Sequence, residues 1–217
     1  MILEPATYDP TPKDKVDYAG LLKGVENYFG GSQWNVQNTE IPKMTLHASY
    51  KNLDSKEKDE IISKIAHIQA LQLKVGKGAD LFGSVAIIIL KDNTYGPKFI
   101  SIAEKMATYN AKKLKNSNIY RMENLNFENF SGINADYARR LSFTLKPADG
   151  KSVQTVIVRI FIGNMVLEIV DSNIGLKNEI FIEIAQLIFK RWQRGKLSSH
   201  FSRPFPYDLN DELAETA

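Results

Sequence analysis

The chain has 217 residues, 43% of them apolar and 24% charged, which is enough apolar material for one core and too much for a disordered chain. Its 28 basic and 25 acidic side chains leave a formal charge of +3, too even for the basic excess of a nucleic-acid binder. The lack of cysteine excludes disulfides, thiolate nucleophiles, Cys-ligated zinc and iron–sulfur clusters, and no run reaches the ~18 apolar residues of a membrane span.

Residues 1–15 include Pro5, Pro10 and Pro12 and little apolar material, and are expected to form an extended arm. The start Met1-Ile2-Leu3-Glu4-Pro5 lacks the basic and apolar regions of a signal peptide. It fits a mature protein whose export signal was replaced by a start methionine, and together with the missing thiols this points to the periplasm. Leu21, Leu22, Val25 and Phe29 predict a helix over Val16–Phe29, stopped by Gly30-Gly31. Trp34-Asn35-Val36 and the alternating Met44, Leu46, Ala48 and Tyr50 predict two short antiparallel strands divided by a turn at Pro42.

A long helix is expected from Ser55 to about Leu73, started by the capping-box-like Asp54 and Glu57, with Ile61, Ile65 and Ile68 as its buried stripe. Ser84–Leu90 is an apolar run of strand length, as expected for a strand covered on both faces. Pro97 suits the first turn of the next helix, where a missing N–H is tolerated; Ile102, Met106 and Tyr109 share one face of it. Lys112–Asn129 reads as a polar link. Tyr137–Lys146, Val153–Ile162 and Met165–Val170 are three strands joined by the turns Pro147-Ala148-Asp149-Gly150 and Gly163-Asn164, an antiparallel meander. A heavily apolar helix, Leu176–Trp192, must cover it. The order predicts an α+β fold: a three-layer α/β/α sandwich with a mainly antiparallel sheet, one domain over residues 16–197, and a Pro-containing tail over 198–217.

Certain segments carry a family likeness. They are the strand Ser84-Val-Ala-Ile-Ile-Ile-Leu90 followed by the helix Phe99-Ile-Ser-Ile-Ala-Glu-Lys-Met106, the run Phe130-Ser-Gly-Ile-Asn-Ala-Asp-Tyr137 before a paired strand, and the meander closed by a helix. From about Trp34 to Trp192 the layout resembles the Mog/PsbP-like superfamily, which includes the photosystem subunit PsbP, the Ran-release factor Mog and DcrB-type bacterial lipoproteins. The resemblance implies a non-enzymatic protein that docks on a larger assembly. The Lys-, Asn- and Ile-rich, cysteine-free character is similar to the spirochaete flagellar-coiling protein B family, which implies flagellar filament or sheath proteins as partners.

The residues supply little reactive chemistry. His47, His67 and His200 form no pair at helical spacing and have no carboxylate at ligand spacing, so each reads as a packed or surface histidine. Gly76-Lys77-Gly78 lacks the spacing and the Lys-Ser/Thr ending of a phosphate-binding loop. Glu168, flanked by Val166, Leu167, Ile169 and Val170, needs an arginine if its face is buried, and Arg139 and Arg159 on neighbouring strands are the candidates. No catalytic, metal or cofactor residue is assigned. Lys112, Lys113 and Lys115, like Lys190, Arg191, Arg194 and Lys196, end helices, where cations oppose the dipole. Phe201, Arg203, Phe205, Tyr207 and Leu209, with Arg191 and Arg194, are the expected partner-binding residues, because an extended apolar segment must fold back or fill a neighbour's groove. The expectation is a non-catalytic structural or interaction protein, with no nucleic acid and no membrane span. The alternative is a periplasmic carrier of a small molecule or lipid, which requires a deep apolar pocket between sheet and helix.

Overall fold

The structure, a computed structural model, describes residues 16–30, 34–75, 81–115, 117–148 and 150–200. In chain order they form α1 (Tyr18–Leu21), a 3₁₀ turn (Val25–Phe29), β1 (Trp34–Glu40), α2 (Lys43–Ser49), α3 (Ser55–Lys64), β2 (Ile65–Val75) and β3 (Leu81–Leu90). There follow α4 (Gly96–Leu114), β4 (Tyr120–Asn129), β5 (Tyr137–Pro147), β6 (Val153–Ile162), β7 (Met165–Ser172) and α5 (Asn178–His200). The seven strands make one sheet in the order β1-β2-β3-β7-β6-β5-β4, with every neighbouring pair antiparallel. The fold is α+β.

Alternation along the strands creates two cores. Val85, Ile87 and Ile89 join Leu22, Val25 and Phe29 and, from α5, Phe181, Ile184, Ile188 and Trp192. Ile88 and Leu90, one residue out of phase, join Leu46 of α2, Ile61 of α3 and Phe99, Ile100 and Ile102 of α4. Successive side chains of a strand point to opposite faces, so the two clusters lie on opposite sides of the sheet. Each fully buried side chain among them contributes roughly 1.5–3 kcal/mol through lost apolar exposure. Gly96 allows the start of α4 to press on the sheet: a Cβ there would come within 2.2 Å of the Phe161 ring.

The meander is present as expected, in continuous register from β5 through β6 to β7. Gly163, at φ 62°, opens the two-residue turn between Ile162 and Met165, where a primed hairpin turn demands positive φ. Asp54 caps α3 by accepting the Glu57 N–H at 2.8 Å, and Pro97 sits in the first turn of α4.

Four expectations are corrected. Val16–Phe29 is not one helix, because Gly24 at φ 78° breaks it between α1 and the 3₁₀ turn. Met44–Tyr50 is no strand: Pro42 stands at the N-cap of α2, where Leu46 and Tyr50, four apart, turn inward while Met44 is 83% exposed. The helix from Ser55 stops at Lys64, since Ile65 is already extended (φ −78°, ψ 127°), and the rest is β2. The supposed link after Lys112 contains the end of α4 and all of β4. In addition, α5 begins at Asn178 instead of Leu176 and continues to His200, past the expected start of the tail. The arm 1–15, Gly76-Lys77-Gly78 and residues 201–217 lie outside the described residues.

Candidate functional site

Of the expected partner-binding residues, Phe201, Arg203, Phe205, Tyr207 and Leu209 lie outside the described residues. Arg191 is engaged internally: its Nη1 donates to the carbonyls of Leu21 at 2.9 Å and Lys23 at 2.6 Å, tying α5 to the chain leaving α1. Arg194 is exposed.

The buried polar groups hold the fold together. Arg159 Nε donates to Glu168 Oε2 at 2.6 Å across the β6–β7 register, so Arg159 is the partner that Glu168 needed. Arg139 turns instead to Glu104 of α4 at 2.7 Å and to Asn129. Asp171 accepts three N–H groups, from Ile174, Gly175 and Leu176, and so shapes the loop into α5. Asn164 donates to the Leu90 carbonyl, joining the β6–β7 turn to the end of β3. His67 lies on β2, 5% exposed, stacked at 4.0 Å on the Tyr18 ring with Glu40 at 3.3 Å. Burial, and then the Glu168 carboxylate, push the Tyr50 phenol up. Burial and the Glu60 charge push Tyr95 up to about 12. Both therefore stay neutral over the physiological range.

A different arrangement occupies the corner where α4 ends, β4 begins and β5 ends. The Ser117 hydroxyl accepts the Ile119 N–H, and the Ala148 N–H donates to the Ile119 carbonyl, which fixes the corner. Lys112 and Lys113 fill the last turn of α4, and Lys115 follows at its cap. Arg121 faces Lys146 directly in the β4–β5 register. All five cations are exposed, and among the described residues none of them has an ion pair or side-chain hydrogen bond. Elsewhere Lys64, Lys98, Lys105, Arg139, Arg140 and Arg159 are each paired with a carboxylate. Exposed lysines such as Lys23, Lys51, Lys91 and Lys177 are also unpaired among the described residues but are scattered, so it is the clustering that sets the corner apart.

Beside these cations Ile119 is 66% exposed, Tyr120 51% and Tyr109 46%. A groove of about 540 Å³ runs between the end of α4 and β4, lined by Lys112, Lys115, Arg121 and Met122 among others. A second, of about 310 Å³, lies further back along α4 by Leu53, Met106 and Tyr109, with Lys112 bordering both. The helix dipole accounts for the three lysines. It does not account for Arg121 opposite Lys146, since like charges directly opposed across a strand pair are destabilising. Cations around exposed apolar and aromatic side chains suit an acidic protein surface that offers apolar contacts. From the sequence only Lys112, Lys113 and Lys115 of this corner stand out; Ile119, Tyr120 and Arg121 lie in the supposed link, and Lys146 has no visible partner until the register pairs it with Arg121.

No protein-family model matches the sequence. A search of curated proteins returns no match. Solved structures align with it to different degrees. The extracellular domain of PknH from Mycobacterium tuberculosis aligns over 87% of this chain and 100% of its own, at 11% identity and a TM-score of 0.50, a likeness of fold alone. A protein of unknown function from Pseudomonas aeruginosa, PA94, aligns over 64% of this chain and 84% of its own, at 15% identity and a TM-score of 0.28.

Proposed function

We propose that this chain is a non-catalytic interaction protein that docks by its α4–β4–β5 corner on an acidic surface of a larger assembly. The observation that carries the reading is the set of unpaired cations, Lys112, Lys113, Lys115, Arg121 and Lys146, gathered around exposed Ile119 and Tyr120. Apolar contact supplies affinity, and the cations steer the encounter and reject basic partners.

The wider reading is a three-layer α/β/α sandwich of the Mog/PsbP-like kind, supported by two cores on opposite faces of one sheet. We place the protein in the periplasm, supported by the cysteine-free composition, and take a flagellar filament or sheath as the assembly. The five tail residues Phe201 to Leu209, with exposed Arg194, would be a second tie. No observation favours the carrier reading, because the two grooves are lined in part by exposed lysines and lie beside α4.

The test is a photo-crosslinking residue in place of Tyr120, in native cells, with the adducts identified by mass spectrometry. The expected adduct is with an acidic protein, and its yield falls at least about tenfold on changing Lys112, Lys115 and Arg121 to Glu, the melting temperature being unchanged. An equal yield from the charge-reversed chain overturns the corner as the docking site. Removal of residues 201–217 tests the tail: unchanged incorporation into the assembly rejects it as a tie.

A further inference from the structure

The two ends of the sheet are built differently. β4 is defended as an edge: its register with β5 shifts between Glu123 and Asn126, Asn124 is twisted to φ 56°, and Arg121, Glu123 and Glu128 add charge. Bulges and charges of this kind prevent another strand from adding. β1 has no bulge, and its one charge is Glu40 at the very end of the strand. Its seven residues pair with β2 in unbroken register from Trp34↔Val75 to Glu40↔Gln69. Asn35 to Thr39 includes no charge, no proline and no bulge, and every residue from Asn35 to Glu40 is exposed. On the sheet side the strand is firmly held, through Asn38 to the Ala19 carbonyl and to Gln69, and through Gln37 to Lys74. An exposed edge, unbroken in register and uncharged over its middle five residues, is a template for strand addition.

We infer that β1 is a homodimer edge, on which a second copy of this chain adds its own β1 antiparallel across a two-fold axis. The occupant follows from the side chains. With the axis through Gln37, Gln37 meets its own copy, Val36 meets Asn38, Asn35 meets Thr39 and Trp34 meets Glu40, so no like charges are opposed, and the Asn35 amide can hydrogen-bond to the Thr39 hydroxyl across the seam. A two-fold interface must be self-complementary in this way. The dimer has one continuous sheet of 14 strands, twice the seven of one copy. It carries the β4 corners at the two far ends, roughly 60 Å apart at the usual spacing between strands. The interface is small, so the dimer is weak and forms as concentration rises.

The experiment is sedimentation velocity on the purified full chain over a concentration series, with two double variants. N35E/T39E places carboxylates opposite each other across the seam; N35E/T39K places opposite charges there. Both alter only exposed positions, and in each variant the carboxylate introduced by Asn35→Glu lies opposite Lys74 of the same chain. The expected result is a reversible dimer of the unaltered chain, a dissociation constant raised at least about tenfold in N35E/T39E, and a dimer kept in N35E/T39K. Melting temperatures of both variants within a few degrees of the parent exclude unfolding as the cause. A chain that stays monomeric to its solubility limit, or two variants that dimerise equally, overturns the inference.

Discussion

Glu168 stands in the middle of β7 with apolar neighbours on either side, and a carboxylate in that place must be met by a cation. That much is legible in the sequence, because Val166, Leu167, Ile169 and Val170 announce a buried strand. Which arginine answers is a matter of register: Arg159 lies opposite Glu168, whereas Arg139 is one strand further away and within reach of Glu104. Arg159 is 9% exposed and the Glu168 side chain 26%, so solvent screens the pair only in part. Glu168→Gln is expected to cost about 2–3 kcal/mol, because it leaves a buried guanidinium without its counter-charge. The double replacement Arg159→Met with Glu168→Leu is expected to come within about 1 kcal/mol of the parent. Urea unfolding decides between them, and a Glu168→Gln loss equal to that of the double variant rejects the argument. His67 shows the opposite case: its stack on Tyr18 depends on residues 49 positions apart, and nothing local to either one signals it.

At the scale of elements, the misreadings share one physical cause: apolar spacing records which side chains are buried, not how the backbone delivers them. Ile61, Ile65 and Ile68 fall at helical spacing and do enter one core, yet Ile61 comes from α3 and the other two from β2. The alternation of Leu71 and Leu73 with Gln72 and Lys74 is the strand signal that the helical stripe concealed. In β4 the bulge near Asn124 breaks the period of two, so Met122, Leu125 and Phe127 never look like a strand. The meander is legible because its strands are unbroken and its turns carry Gly150 and Gly163. One prediction belongs here. Gly96→Ala drives a methyl group into the Phe161 ring at the foot of α4, and is expected to cost about 1–3 kcal/mol by overpacking. A lower urea midpoint at unchanged slope is the expected reading, and an unchanged midpoint means that α4 can shift freely.

For the whole molecule, acid is the expected weak point. Hydrogen bonds from the Thr94 hydroxyl and N–H, with Lys64, hold Asp92 down at about 2. The Glu57 N–H lowers Asp54, and Lys98 lowers Glu60. A carboxyl group depressed in the folded state stabilises the fold above its unfolded pKa, and that contribution is lost as pH falls through the folded value. Melting temperature should therefore drop between about pH 5 and pH 2, and the parent and Asp92→Asn should converge toward the acid end. A constant gap between them down to pH 2 refutes this account. The position of β7 has a consequence for biosynthesis. Met165–Ser172 fills the centre of the sheet, between β3 and β6, so its two halves cannot join until most of the polypeptide has left the ribosome. Through that interval Val85–Leu90 can pair with β2 on one side, while its other edge stays open and sticky. The nascent chain is most prone to aggregate after Leu90 emerges and before Ser172 does, which is when a holding chaperone would matter most.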